Sequence, residues 1–153
     1  MGQCNDLRQN GLEEAMSNFW KGWLDIWCLA TIIFGGVLAA SGLEGFEGGT
    51  RLFMTLINPG NVPVFTDIER FAFGLIGAIS IGWGVTFFYF FRAAHASNIG
   101  NKMYRQAFVV IIIWNLIDGY ISYRTGFTHN IVANLLLSLG VTIPLYMSGK
   151  LSR

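Results

Sequence analysis

The sequence predicts an all-α integral membrane protein: a four-helix bundle with cytoplasmic termini and a short N-terminal interfacial helix. Three observations predict it. Charged residues are 12% of the 153-residue chain and apolar residues 53%, whereas a soluble domain carries about 25% charged residues. Mean hydropathy is positive. The apolar residues gather into four runs, at about 22–41, 71–91, 106–123 and 131–148, each near the roughly 20 residues a helix needs to cross a bilayer. One transmembrane domain, residues 1–153, accounts for the whole chain.

The N-terminal segment is polar, with Asp6, Glu13 and Glu14 ahead of the first apolar run, so no cleavable signal peptide is expected. The start MGQC has Asp6 where a myristoylation motif wants Ser or Thr, and it reads as an ordinary polar terminus. Asn10 followed by Glu13 is a variant capping box. Leu12, Met16, Phe19 and Trp23 then share one helical face, which suggests an interfacial helix running into the first span. Trp20, Trp23 and Trp27 suit an aromatic belt at that surface. Asp25 stands at helical spacing from Lys21, the pattern of a surface ion pair. Cys28 falls inside the first run and Cys4 near the terminus, so a disulfide between them is not expected.

The connection 43–69 is the longest. It begins with the Gly-rich LEGFEGG and turns at NPGNVP, and the intervening TRLFMTLI is apolar enough to lie on the membrane. Thr66 and Glu69 form a second capping box that starts the second span. That span has no charge between Arg70 and Arg92. Gly74, Ala78 and Gly82 recur at intervals of four, with Gly77, Ser80 and Gly84 beside them. Gly35, Gly36, Ala39 and Ala40 of the first span are the expected counterpart, because small residues let helix backbones approach closely in lipid. The third and fourth runs are short, and Pro144 is expected to kink the fourth.

Basic residues set the orientation. Arg8, Lys21, Arg92, Lys102, Arg105, Lys150 and Arg153 lie on one side, and Arg51, Arg70 and Arg124 on the other. The richer side is cytoplasmic by the positive-inside rule. This puts both termini inside, in a bacterial inner membrane or an organellar equivalent, and the 43–69 loop outside.

The polar residues within the spans collect at one depth. Asp118 lies six residues before Arg124, roughly 9 Å into the apolar zone. Asn115, Asp118 and Ser122 share one face of the third helix. The short RTGFTH connection makes the third and fourth helices antiparallel neighbours, which brings Asn130 and Asn134 to the same level. Arg124 and His129 stand at the mouth of this expected cluster. Ionisable residues in spans are costly and face a bundle interior or a wet cavity. The cluster is therefore either a hydrogen-bonded clasp between helices or a site that binds a ligand or handles protons, with Asp118 neutral or held charged by the amides and Arg124 or Arg70.

Several function classes find no support. No basic patch invites nucleic acid. No phosphate-binding loop, HExxH or CxxC is present. His95 and His129 fall on opposite sides, so they do not jointly hold a haem or metal, and His95 reads as a solvated loop residue. No catalytic residue and no metal site is assigned, and no cofactor is required by the sequence.

GWGVT (82–86), together with Asp118, Ser122, Gly126, Asn130 and Asn134, resembles small four-span bacterial membrane proteins that overlap the DoxX-like class. The resemblance covers about 70–147. In span count and general pattern the chain is also similar, more distantly, to Erg28-like sterol-biosynthesis scaffolds. Neither resemblance implies a catalytic residue.

The expected function is that of a non-catalytic accessory or scaffold subunit. Its partners would be membrane lipids and other membrane helices or further copies of itself, with pigments as possible neighbours. The alternative is a protein or enzyme that takes a quinone, sterol or other lipid at the polar cluster around Asp118.

Overall fold

The computed structural model describes residues 2–60, 64–97, 99–148 and 151, with side chains from Asn18 onward. Five helices follow one another: α1 Gly2–Ala40, α2 Gly48–Ile57, α3 Asp67–Ala96, α4 Gly100–Thr125 and α5 Thr128–Met147. Four segments are long and apolar enough to cross a membrane: Asn18–Ala40, Asp67–Ala96, Gly100–Thr125 and Thr128–Met147. The helices outrun the hydropathy runs because capping, not hydropathy, ends a helix. At the start of α3 the Glu69 carboxylate accepts the Thr66 N–H at 3.2 Å, completing the expected capping box. Most of the stretch 92–105, which separates the second and third apolar runs, is helical, and the connection is the short turn between Ala96 and Gly100.

At the N-terminus, α1 is continuous from Gly2, so Asn10 lies within the helix and does not start it. The side chains of Cys4, Leu12 and Met16 fall outside the described residues. Asp25 pairs with Arg92 of α3 at 3.2 Å, not with Lys21, which reaches Asn18 instead. Antiparallel packing puts Arg92 opposite Asp25, and the guanidinium also covers the Phe88 ring at 4.3 Å.

The spans form a ring in which α1 packs on α3, α3 on α4, α4 on α5 and α5 on α1, with α2 resting against α1 and α5. Among the described residues the diagonal pairs, α1 with α4 and α3 with α5, keep their Cα atoms more than 8 Å apart. The α1–α3 seam is by far the tightest. Gly42 meets Gly74, Gly35 meets Gly77, and Gly84 meets the Cys28 carbonyl and Ile32. The close-approach ridge therefore runs through Gly74, Gly77 and Gly84. The expected Gly74–Ala78–Gly82 ridge shares only Gly74 with it. Gly36 and Gly82 have no neighbouring atom within 4 Å of where a Cβ would stand, and Ala78 is exposed. Steps of three and four together follow the 3.6-residue turn, whereas repeated steps of four drift off the contact line.

The two ends of the ring are packed differently. Leu24, Cys28, Phe91, Ala94, Tyr104, Ala107, Ile111, Val141 and Leu145 form one buried core. All lie toward the end that holds the termini of the bundle. His95 belongs to the last turn of α3 and is hydrogen-bonded to the buried Tyr104 hydroxyl, so it is not the solvated loop residue expected. Among the described residues no core of this kind fills the α2 end.

Two indoles tie α1 to α5. Pro144 has no N–H, so the Gly140 carbonyl loses its i+4 donor. The Trp23 Nε1–H supplies the missing bond at 2.7 Å. Trp27 donates to the Leu137 carbonyl at 2.9 Å, and Gly140 leaves room for its ring, since a Cβ there would stand 3.0 Å from Trp27 Cδ1. The expected aromatic belt is thus partly internal. An unsatisfied acceptor costs about 1–3 kcal/mol, so Trp23→Phe is expected to lower unfolding stability by that amount. On a Pro144→Ala background, where the N–H returns, the cost should fall by at least about 0.5 kcal/mol. A double-mutant cycle of unfolding in detergent measures this coupling. Equal costs in the two backgrounds would contradict it.

Candidate functional site

The left-handed backbone of Gly126, φ 83°, terminates α4. The Gly126 N–H bonds the Tyr123 carbonyl and the Phe127 N–H bonds the Ser122 carbonyl, at 3.4 and 2.8 Å. The chain then reverses directly into α5. This tight hairpin sets the register of the polar residues on the two helices.

Asn130 Nδ2 donates to Asp118 Oδ2 at 2.9 Å and to Ser122 Oγ at 2.9 Å. Asn134 Nδ2 donates to the same Asp118 Oδ2. The structure therefore brings together Asp118, Ser122, Asn130 and Asn134. Asn115 stands one turn deeper, where its amide bonds the Ile111 carbonyl at 3.0 Å and Ser138 Oγ. Ser138 was not singled out from the sequence, although its spacing of four from Asn134 puts it on the same face. Arg124 and His129 are exposed. Among the described residues no hydrogen bond or ion pair joins Arg124 to Asp118. Arg70 is also engaged elsewhere, in an ion pair with the buried Glu47 at the head of α2.

Each hydrogen bond of this kind between membrane helices contributes about 0.6–2 kcal/mol. The cluster accordingly clasps α4 to α5. It also forms part of a wall, because Asp118, Ser122, Asn130 and Asn134 line a cavity of about 580 Å³. The ring of helices without diagonal contact leaves this space at the α2 end. Trp27, Phe34, Phe73, Trp83, Phe87 and Trp114 give it an aromatic lining, and Phe53, Met54 and Ile57 of α2 contribute to its wall. The apolar TRLFMTLI segment thus belongs to the cavity and is not only a surface feature. Sequence patterning signalled its apolarity but not which way it faces.

Several contacts hold α2 in place, among them the Phe34 and Phe53 rings, 4.8 Å apart. Thr50 Oγ1 donates to the Val37 carbonyl at 3.2 Å. The Arg51 guanidinium lies 4.6 Å from the centre of the Phe65 ring. Arg70 pairs with Glu47. Hydrogen bonds from its own backbone N–H, then the Arg70 pairing, hold the Glu47 carboxyl below the usual carboxylate range despite its burial.

On α3 the wall is thin. Ile76 and Ile79 line the cavity yet are 49% and 53% exposed. Their helical positions fall on the side of Trp83, whose ring meets Trp114 of α4 at 5.6 Å. Both isoleucines thus keep about half of their surface free of protein contact on this wall. Among the described residues no group of three or more His, Cys, Asp or Glu is placed to hold a metal ion. Comparison with protein-family models, curated proteins and solved structures finds no match to this chain.

Proposed function

We propose that this integral membrane protein binds a small amphiphilic molecule in the cavity between its helices. The polar end of the molecule would sit at Asp118, Asn130 and Asn134, and its apolar body among the aromatic rings. The single observation that carries this reading is the cavity of about 580 Å³, apolar over most of its wall, with Asp118 as the one ionisable side chain of its lining among the described residues. That size and character match pockets for small molecules, which occupy about 300–1,000 Å³ and fix orientation with a few placed polar groups. An accessory or scaffold subunit needs no interior volume, so the hollow favours ligand binding over a purely structural role.

By the bias of its basic residues the chain keeps both termini in the cytoplasm, and the cavity then opens in the outer half of the membrane. A quinone, a sterol or another lipid is the class of ligand that such a largely apolar cavity would take from the hydrocarbon. The expected result of native mass spectrometry after gentle detergent extraction is the chain carrying one retained small molecule. A bare chain held in a fixed ratio to another membrane protein would refute the reading and favour the scaffold.

A further inference from the structure

We propose that the cavity selects a molecule whose polar end donates a hydrogen bond to Asp118: a hydroxyl or a protonated amine. This rests on the small-molecule reading above and names the chemistry of the ligand. The two asparagine amides converge on one oxygen of the acid, Oδ2. The other oxygen, Oδ1, has no protein hydrogen-bond partner among the described residues, and Asp118 is only half-buried on the cavity wall. A carboxylate accepts and does not donate.

Several donors around it are committed within the protein, whereas one N–H of Asn134, the hydroxyl hydrogens of Ser122 and Ser138 and the indole N–H groups of Trp83 and Trp114 have no protein acceptor among the described residues. Asn130 Nδ2 spends its two N–H groups on Asp118 and Ser122. The hydroxyls of Thr31, Ser80 and Thr125 bond carbonyls of their own helices at 3.0, 2.8 and 2.8 Å. Trp27 is engaged with Leu137. No Lys, Arg or His lines the cavity among the described residues. At Oδ1 of Asp118, a molecule offering only a carbonyl or ether oxygen would bring an acceptor to an acceptor. A hydroxyl completes the acid's unfilled position. An ammonium does the same and finds aromatic faces nearby.

Tryptophan quenching tests this, because Trp27, Trp83 and Trp114 line the cavity and bromine quenches indole fluorescence at short range. The probes are ω-bromododecanol, its methyl ether, and ω-bromododecylammonium, titrated into the purified full-length protein in detergent. The alcohol, the ammonium or both should bind at least about tenfold more tightly than the ether. The tighter of the two identifies the donor as neutral or charged. In Asp118→Asn the new amide should turn its oxygen to Asn130 and Asn134 and its NH₂ to the cavity. The preference for the alcohol over the ether should then collapse to about unity, and the ammonium should lose its affinity. An acid that is only an interhelical clasp leaves that ratio unchanged. Equal binding of alcohol and ether by the wild type overturns the donor rule while leaving the small-molecule reading intact. Absence of quenching by every probe overturns both. The wild-type comparison decides even where the variant does not fold.

Discussion

Gly77→Ala is expected to destabilise the folded protein by about 3 kcal/mol, the upper end of the usual cost of overpacking. A Cβ at this position would stand 2.5 Å from the Gly35 carbonyl oxygen and 2.6 Å from Ala39 Cα, with the Ala39 nitrogen closer still. These are backbone atoms, so no side chain can turn aside to make room. Relief requires α1 and α3 to separate, and separation loosens their tightest seam. Packing contacts of this kind, not a hydrophobic driving force, hold helices together in lipid. Gly82→Ala is the matched control. Beyond its own helix turn, no atom of the described residues lies within 4 Å of its Cβ position, so it should leave stability unchanged or raise it by up to about 1 kcal/mol through helix propensity. Unfolding of both variants in one detergent measures the difference. Equal losses at the two glycines would contradict the seam described here.

Ala133→Trp should abolish ligand retention without unfolding the protein. Ala133 lines the cavity on α5, one residue before the clasped Asn134. An indole there occupies space that the ring of helices leaves open and so displaces no packed neighbour. Binding of the alcohol or ammonium probe should weaken at least about tenfold, equivalent to about 1.4 kcal/mol. Thermal stability should hold or rise, because filling a hollow adds contacts to a lining that lacks them. A variant that melts early would mean that the site is already well packed. A variant that binds as before would place the ligand elsewhere. The combination of lost binding and kept stability is what separates a pocket from a structural void.

Much of the architecture is legible in the sequence. Hydropathy locates four helices, since a membrane-crossing helix needs a long apolar run and little else signals so strongly. The RTGFTH connection makes α4 and α5 antiparallel neighbours, and the spacing of Asp118, Asn130 and Asn134 then predicts their meeting, because depth along a helix follows directly from its rise. The clasp was readable for that reason. The spacing places Asn115 in the same cluster, yet it stands a turn deeper and bonds Ser138. Rise alone does not determine which of several polar groups on one face pair with which.

Other features were not legible because they depend on how helices turn about their own axes. Gly74, Gly77 and Gly82 are equivalent in composition, and only the crossing of α1 and α3 distinguishes the first two from the third. Asp25 has a basic neighbour on its own helix, but its partner lies on α3 at Arg92. Trp23 reads as an interfacial anchor, whereas the structure sets it against the carbonyl that Pro144 leaves without a donor. Each of these results joins residues far apart in the chain.

Residue order and elementary physical chemistry thus settle the all-helical class, the four helices long and apolar enough to cross a membrane and the level at which acid and amides meet. These follow from transfer out of water and from helix geometry, both of which act along one segment at a time. Tertiary packing alone decides that one end of the ring is filled and the other hollow. That outcome depends on the lateral spacing of four helices: glycine contacts draw α1 onto α3 at one seam, while the diagonal pairs stay apart. Asp118 therefore joins two helices and faces an interior space, and the second role becomes visible only when the walls are assembled around it.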